Sequence, residues 1–268
     1  MNLKILVVTH KNYWMPNESI YLPVLVGTNN LDRKILRDNK GANISYKNKN
    51  YCELTAMYWA WKNLKLDKKD YIGLCHYRRY FTDKIKKSIF EKKNIKLRRD
   101  SIMKEIKYRQ ILKRYDIILP KKTLLNEKFE ILTVKEQYSR SHNKRDIELV
   151  RNVIENLYPE DIVFFDEIML QKKIYMYNMF IMSKELFDEY CEWLFNILFS
   201  LEKCIDISDY DEYQSRVYGF LGERLFNIWL LKKKLKIYET DVVFLEDNFN
   251  IFKAIKSFMK KCYFALKC

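Results

Sequence analysis

The chain has 268 residues, 48% of them hydrophobic, and carries a net charge of +15. This length and apolar content suffice for a sizeable core, so a folded globular protein is predicted and a disordered chain is excluded. Five glycines and four prolines lie scattered along the sequence, which predicts one domain without a flexible linker. Six cysteines with no C-x-x-C pair predict reduced thiols and a cytosolic location.

Two segments account for the positive charge. Residues 84–122 hold fifteen Lys or Arg against four acids, and residues 253–267 add five lysines and no acid. A local basic excess of this kind favours a polyanion or an anionic membrane surface, and the alternative is a solvated basic face. No apolar run approaches the roughly 20 residues of a membrane span, so no signal peptide and no transmembrane helix are predicted.

Strand-like and helix-like patterns alternate along the chain. Strands are predicted at residues 4–8, 71–75, 116–119, 174–182 and 236–245, and helices at 50–64, 146–157, 184–198 and 214–231. Asn50 with Glu53 resembles a capping box, and Ser183 is a candidate N-cap. The alternation predicts an α/β fold with a mostly parallel central sheet flanked by helices, formed by residues 1–250, and a basic amphipathic tail at 251–268.

Polar clusters follow two of the predicted strands. Thr9 to Lys11 follow the first strand, and His76 to Arg79 follow the strand at 71–75. If the two strands are neighbours, their carboxyl ends form one cationic pocket, and arginine and lysine there suit a diphosphate. In the alternative interpretation the arginines pair with carboxylates such as Glu53 or Glu223, and His76 is an ordinary core histidine.

The late helix contains two unusual features. Arg224 falls on its apolar stripe, where a buried guanidinium needs a partner, and Glu223 lies one turn from Gly219. Two glycines inside a helix cost roughly 1 kcal/mol each relative to alanine, which predicts that something approaches Gly219 and Gly222 closely. Glu223 is a candidate general base facing the pocket, and an internal pair between Glu223 and Arg224 is the alternative.

Six motifs resemble, in order, those of a bacterial family first catalogued as a domain of unknown function, whose members are commonly described as capsular or exopolysaccharide biosynthesis glycosyltransferases. The resemblance extends from about residue 3 to residue 245. Its motifs are THKNYWMP (9–16), NYCELTAMYWAWKNL (50–64), YIGLCHYRRYF (71–81), YDIILPKK (115–122), NMFIMSKELFDEYCEWLF (178–195) and RVYGFLGERLFNIWL (216–230).

The resemblance implies a GT-A-like fold and a UDP-sugar donor, with galactose in its pyranose or furanose form favoured. It also implies a lipid-linked oligosaccharide acceptor in capsule, exopolysaccharide or O-antigen synthesis. Together with the basic tail, such an acceptor predicts an enzyme held on the cytoplasmic face of the inner membrane. We assign inferred roles to the matching residues. They are Glu223, Arg224 and His76 for catalysis; Thr9, His10, Lys11, Asn43, Tyr51, Thr55, Arg78 and Arg79 for the donor; and Asn178 and Met179 for the acceptor side.

The resemblance leaves the requirement for a divalent metal open. GT-A enzymes usually carry an acid-x-acid motif where this chain has the HYRR of residues 76–79, so cationic side chains could neutralise the diphosphate instead. Asp209 and Asp211 form a literal D-x-D but follow no strand, and we interpret them mainly as part of an acidic loop. His142 is a weak candidate for an acceptor contact. A retaining reaction would need no general base.

Two other classes of protein remain as alternatives. A basic protein that binds nucleic acid would also explain the charge, but no recognised reader motif occurs and nucleic acid is not an expected partner. A non-enzymatic membrane-surface module would explain residues 252–266, where lysines alternate with apolar side chains as in an interfacial helix. We predict the second property as an accessory of the enzyme.

Overall fold

The structure, a computed structural model, describes residues 2–27, 35–84 and 94–245. The predicted basic tail at 251–268 and residues 85–93 of the basic segment lie outside the described residues. Twelve strands occur in the described ranges. They are β1 (Leu3–Thr9), β2 (Tyr21–Leu25), β3 (Leu36–Arg37), β4 (Tyr71–His76), β5 (Arg79–Thr82), β6 (Ile117–Pro120), β7 (Thr123–Leu124), β8 (Asn126–Glu127), β9 (Glu130–Ile131), β10 (Lys173–Ile174), β11 (Phe180–Ser183) and β12 (Ile237–Phe244).

Helices are interleaved with these strands. They are α1 (Asn48–Tyr51), α2 (Leu54–Asn63), α3 (Ile95–Asp100), α4 (Glu105–Leu112), α5 (Val134–Ser141), α6 (Lys144–Leu157), α7 (Ile162–Leu170), α8 (Lys184–Leu201) and α9 (Val217–Lys233). The predicted N-cap is confirmed, because the Ser183 hydroxyl accepts a hydrogen bond from the Leu186 amide at the start of α8. The α/β class predicted from the sequence is also confirmed.

The main sheet has the strand order β11-β6-β12-β5-β4-β1-β2-β3, with a further pairing between β11 and β4. Strand β1 runs parallel to β2 and β4, and β12 runs parallel to β6. Strand β11 is antiparallel to both β4 and β6, and β5 is antiparallel to β12 and β4. The sheet is therefore mixed, and the prediction of a mostly parallel sheet is corrected.

The physical reason for the mixed sheet is a pair of chain reversals. Tyr77 and Arg78 form a tight turn that sends β5 back along β4, and β11 enters the sheet in the opposite direction to β4. As a result the pairings β4–β11–β6–β12–β5–β4 form a closed circuit, which we call the strand ring. The hydrophobic pattern of a strand buried on both faces does not distinguish these two directions.

Apolar side chains pack on both faces of the sheet. Along β1, Leu6 and Val8 join the larger cluster, which contains side chains of α2, α8 and α9, whereas Ile5 and Val7 join the smaller one on the other face, with Tyr108 of α4. This follows from the alternation of side chains along a strand. The core holds the ends of β1 and β4 rigidly at one edge of the sheet.

Two local predictions are wrong in detail. The predicted strand at 174–182 is two strands, because Tyr177 and Asn178 adopt left-handed backbone conformations (φ +80° and +49°) between β10 and β11. The predicted capping box is absent. The Asn50 amide instead donates to the Ser215 carbonyl, and the Glu53 carboxylate accepts a hydrogen bond from Asn178.

The close approach to the glycines of the late helix is confirmed, and its cause is helix packing. A Cβ at Gly219 would lie 3.1 Å from the Cys52 sulfur, and a Cβ at Gly222 would lie 2.9 Å from a Leu54 methyl group. Cys52 itself has a left-handed backbone (φ +52°) that separates α1 from α2. The glycines therefore let α9 lie directly against the break between these two helices.

Candidate active site

A cleft of about 760 Å³ opens at the carboxyl ends of β1 and β4. Its volume lies within the roughly 300–1,000 Å³ of ordinary small-molecule pockets. One wall consists of residues 8–10 and the turn at 76–79, and the opposite wall consists of α9 and the residues just before it. The break between α1 and α2, the end of α5, and Val26, Met176 and Tyr177 complete the lining.

The parallel pairing of β1 with β4 brings the two predicted polar clusters together. Val8 lies opposite His76 in the register, so Thr9 and His10 emerge beside the turn that carries Arg78 and Arg79. The His10 ring contacts the Tyr77 ring edge-on, with centroids 5.4 Å apart. The condition on which the predicted cationic pocket depends, that these two strands are neighbours, is therefore met.

A left-handed turn at Tyr177 and Asn178 contacts three titratable side chains of the site. The Tyr177 amide donates to the Glu223 carboxylate (2.9 Å), and the Tyr177 carbonyl accepts from Nε2 of His76 (2.8 Å). The Asn178 side chain donates to the Glu53 carboxylate (2.8 Å). Backbone strain of this kind persists where surrounding contacts fix it, and here it holds two carboxylates and an imidazole near one another.

Burial shifts the protonation of these groups. Desolvation raises the pKa of Glu223 above its ordinary value, and the Arg224 guanidinium opposes this rise while the Glu53 carboxylate adds to it. Desolvation also lowers the pKa of His76, although the nearby Glu53 carboxylate acts in the opposite direction. Because a carbonyl oxygen only accepts, Nε2 of His76 carries the proton in the neutral ring.

One guanidinium group, that of Arg224, is bonded directly to the Glu223 carboxylate. Arg224 is 3% exposed and donates to Glu223 (3.1 Å), to Gln137 (2.7 Å) and to the Phe220 carbonyl. The alternative of an internal ion pair with Glu223 is therefore present in the structure, and both side chains also line the cleft.

Arg79 and Arg216 extend the positive charge of the cleft without an ion pair to a carboxylate of the described ranges. Arg79 lies 4.7 Å from the centroid of the Tyr177 ring. Arg216 donates to the Cys52 sulfur (3.2 Å) and approaches the Phe220 ring. These guanidinium groups leave positive charge directed at the cleft, which suits an anionic ligand.

The far end of the cleft is aromatic. His142, Tyr213 and Phe220 contact one another, with ring centroids 4.1 to 6.0 Å apart. We call these three side chains the aromatic end. Gln137 and Ser141 of α5 line the cleft beside it.

Comparison with known proteins identifies the family of the chain. The family model described as a domain of unknown function, DUF4422, matches residues 4–234. The chain belongs to the DUF4422 family. None of the curated protein sequences matches it significantly. This agrees with the family resemblance of the motifs, whereas the capsular or exopolysaccharide context remains a prediction.

The chain also resembles the solved structure of a glycosyltransferase. The apo structure of WbbM, described as a bifunctional glycosyltransferase, matches with a TM-score of 0.80 and 32% sequence identity. The match covers 91% of this chain but 45% of the WbbM chain. The present chain thus spans less than half of the length of WbbM.

The structure brings most of the predicted catalytic and donor residues to the cleft. Its lining includes Thr9, His10, His76, Arg78, Arg79, Glu223 and Arg224, as well as Glu53 and His142. Several predicted site residues do not line it. They are Lys11, Asn43, Tyr51, Thr55, Asn178, Met179, Asp209 and Asp211.

The residues outside the lining have structural contacts of their own. Tyr51 is buried and stacks on Tyr218, and Thr55 accepts a hydrogen bond from Asn48. Met179 is buried in the smaller apolar cluster. Asp211 accepts from the Gln214 amide at the turn before α9. Asn178 does not line the cleft itself, but its side chain holds the Glu53 carboxylate, which does.

Sequence reasoning missed Arg216, Tyr213 and Phe220, whereas it named His142 as a weak candidate for an acceptor contact. Arg216, Gly219, Phe220 and Glu223 recur at i, i+3, i+4 and i+7, so they share one face of α9 and its preceding turn. Extending the pattern around Glu223 backwards would have found Arg216 and Phe220. Gln137 offers no such signal, because its place depends on how α5 packs.

The Glu53 and Glu223 carboxylates of the cleft are bonded to protein groups. In residues 2–27, 35–84 and 94–245, no group of three or more His, Cys, Asp or Glu side chains has a metal-binding arrangement. Glu223 is bonded to an amide and a guanidinium, and Glu53 to an amide group.

Proposed function

We propose that this chain is a glycosyltransferase that moves a sugar from a UDP-sugar to an oligosaccharide acceptor. The observation that carries the proposal is the cleft at the ends of β1 and β4, where guanidinium groups face two partly or fully buried carboxylates. The likeness to WbbM, which is described as a glycosyltransferase, supports the reaction class. A GT-A-like fold and a galactose-type donor, pyranose or furanose, are part of the proposal.

The donor diphosphate would lie against the turn that carries Arg78 and Arg79, with uridine towards Thr9 and His10. Parallel strands present their carboxyl ends to ligands in open α/β sheets, and β1 and β4 are such a pair. Burial and the nearby charges of Lys11, Arg78 and Arg216 lower the pKa of His10. A bound diphosphate would oppose these cations and favour the charged imidazolium form of His10.

Glu223 is the proposed general base of an inverting reaction. The acceptor hydroxyl would give its proton to Glu223 while its oxygen forms a bond to the anomeric carbon. The bond between that carbon and the diphosphate oxygen would break, and the electron pair would leave with UDP. The guanidinium groups of Arg78 and Arg79 would stabilise the charge that develops on the diphosphate. The Tyr177 amide holds one oxygen of Glu223 in place.

We further propose that the acceptor is a lipid-linked oligosaccharide of capsule, exopolysaccharide or O-antigen synthesis, reached at the cytoplasmic face of the inner membrane. In the described part of the chain, no helix is long and apolar enough to cross a membrane. The basic segments of the sequence would supply attraction to anionic lipid. Deletion of residues 253–268 should weaken binding to vesicles containing anionic lipid and leave binding of UDP unchanged.

The test of the proposal is a screen of UDP-sugars for binding and turnover. Thermal denaturation and UDP release should be measured with UDP-galactose, UDP-galactofuranose, UDP-glucose and UDP-N-acetylglucosamine, each with Mn²⁺ and with EDTA. Stabilisation by UDP or a UDP-sugar, without stabilisation by an oligonucleotide of equal charge, supports the proposal. The reverse pattern favours a nucleic-acid-binding protein and contradicts it.

A pair of arginine variants makes the screen specific to the cleft. Arg79→Ala should lose UDP binding, because Arg79 lines the cleft and forms no ion pair with the described carboxylates. Arg151→Ala is the matched control, since Arg151 pairs with Asp166 on the surface of α6 and α7. Equal UDP affinity in both variants would rule out the assigned role of Arg79.

A further inference from the structure

The aromatic end of the cleft has the shape of a stacking platform. Tyr213 is 53% exposed, and its ring is nearly parallel to the His142 ring, with centroids 6.0 Å apart and planes inclined by 15°. Phe220 packs against both rings. An exposed tyrosine held by two other rings offers a fixed apolar face to a ligand in the cleft.

Hydrogen bonds fix the orientation of His142. The Gln214 amide nitrogen donates to the Ser141 carbonyl (2.9 Å), so the Gln214 oxygen faces Nδ1 of His142 (3.1 Å). Nδ1 therefore carries the proton, and Nε2 of the neutral ring is an acceptor. Burial lowers the pKa of His142 to about 4, so the ring is uncharged at neutral pH.

The two ends of the cleft differ in chemistry. Towards β1 and β4 it presents the guanidinium groups of Arg78 and Arg79, which suit a diphosphate. At the aromatic end it presents uncharged rings, an imidazole acceptor and the polar side chains of Gln137 and Ser141, with the Arg216 guanidinium 5.6 Å from the centroid of the Phe220 ring. Such a surface suits a neutral ligand that has both apolar C–H faces and hydroxyl groups, which describes a sugar ring.

The position of Phe220 relates this surface to the reaction. Phe220 precedes Glu223 by three residues on α9, so the platform lies within about one helical turn, or 5.4 Å along the axis, of the carboxylate. The Phe220 carbonyl also accepts a hydrogen bond from Arg224 (3.0 Å). A ring stacked on the platform could therefore direct a hydroxyl at Glu223.

We infer that the aromatic end is the acceptor subsite, at which a neutral sugar ring of the acceptor stacks on Tyr213 and Phe220 and donates a hydroxyl hydrogen bond to His142. This inference rests on the proposed function. It assigns the cationic end to the nucleotide donor and the aromatic end to the sugar that receives the transferred group. The competing occupant is the nucleobase of the donor, which would also stack on tyrosine.

Saturation-transfer NMR on the full chain tests the inference with methyl glycosides of galactose, glucose, rhamnose and N-acetylglucosamine as probes. At least one glycoside should receive saturation from the wild-type protein. In Tyr213→Ala its dissociation constant should rise roughly three- to tenfold, the range of one aromatic stacking contact. Tyr213→Phe should retain wild-type affinity, because the ring and not the hydroxyl forms the platform.

A matched control is Tyr46→Ala, which removes an 80%-exposed tyrosine outside the cleft and should leave glycoside binding unchanged. Glycoside binding that is absent in the wild type, or equal in Tyr213→Ala and the wild type, overturns the inference. Titration of the same variants with UDP detects the competing occupant. A UDP dissociation constant that rises more than threefold in Tyr213→Ala would assign the platform to the nucleobase and overturn it too.

The two titrations also separate this inference from the proposed function. If wild-type protein binds UDP but no glycoside, the acceptor subsite is wrong and the proposed donor site survives. If it binds glycosides through Tyr213 but neither UDP nor a UDP-sugar, the platform is a sugar site while the proposed transferase function fails.

Discussion

The left-handed turn at Asn178 makes a sharp prediction about stability. Asn178 is 3% exposed, has φ +49° and donates to the Glu53 carboxylate at 2.8 Å. Asn178→Gly and Asn178→Ala both remove this charge-assisted hydrogen bond. Each variant should therefore lose about 1.5–3 kcal/mol of the free energy of unfolding. The lower value is expected because Glu53 is only partly buried.

The two variants differ in backbone energy. In a left-handed conformation, alanine pays a steric cost of about 1–2 kcal/mol for its Cβ, and glycine, which has no Cβ, does not. Alanine regains about 0.4–1 kcal/mol because it restricts the unfolded chain more than glycine does. Asn178→Gly should therefore be more stable than Asn178→Ala by about 1 kcal/mol, from the difference of these two terms. Ordinary positions in a helix or strand show the opposite order.

Urea unfolding monitored by circular dichroism measures this difference directly. The urea concentration at the midpoint should be higher for Asn178→Gly than for Asn178→Ala, and the slope of the transition should be the same for both. A control pair at Ala60, which lies inside α2, should show the ordinary order, with the Gly variant less stable than the wild type. Finding Asn178→Ala as stable as Asn178→Gly would refute the strained turn. A loss well below about 1.5 kcal/mol in both variants, relative to the wild type, would refute the role of Asn178 in holding Glu53.

Three further predictions follow from buried contacts. Gly222→Ala should lower the free energy of unfolding by up to about 2 kcal/mol: overpacking against a Leu54 methyl group at 2.9 Å costs about 1–3 kcal/mol, and alanine regains about 1 kcal/mol of helix propensity. Calorimetry that shows a clear gain would contradict this. Glu223 must be deprotonated to act as a base, so kcat/KM for UDP release should fall as pH decreases through a pKa above the ordinary glutamate value of 4.5; an acid limb at or below 4.5 would exclude this role. Lys232→Met should lower the free energy of unfolding by about 3–5 kcal/mol in urea, because the fully buried Asp161 carboxylate would lose its ion pair. A loss of less than about 1 kcal/mol would count against a stabilising role of this pair.

The sequence predicts the elements of this fold better than their directions. The strands that end at Thr9 and His76 follow from their apolar runs, whereas the sequence left open whether the two strands are neighbours. The mixed sheet could not be predicted, because the apolar run of β11 is compatible with either direction. The break at Tyr177 was hidden because neither it nor Asn178 is a glycine, the usual signal of a left-handed turn.

In the candidate site too, the residues that are close in sequence could be predicted, and those that tertiary packing brings together could not. Local clusters such as His76 to Arg79 could be found because consecutive residues share one turn, and Glu223 because it lies on a recognisable helix face. Thr55 and Met179 lie within motifs of the family but outside the cleft lining. Gln137, which binds Arg224, is contributed by a helix 87 residues away, and only tertiary packing brings the two together.

The strand ring has a consequence for the order in which the protein is made. Arg79 of β5 pairs with Phe244 of β12, and the Leu245 amide donates to the Arg78 carbonyl. These partners are synthesised about 165 residues after the arginines they hold, so the contacts are strongly non-local and slow to form. On the ribosome, β1, β2 and β4 have all emerged long before β12. The positively charged wall of the cleft is therefore completed among the last parts of the domain, and nascent chains that end before residue 237 should expose it without a fixed shape.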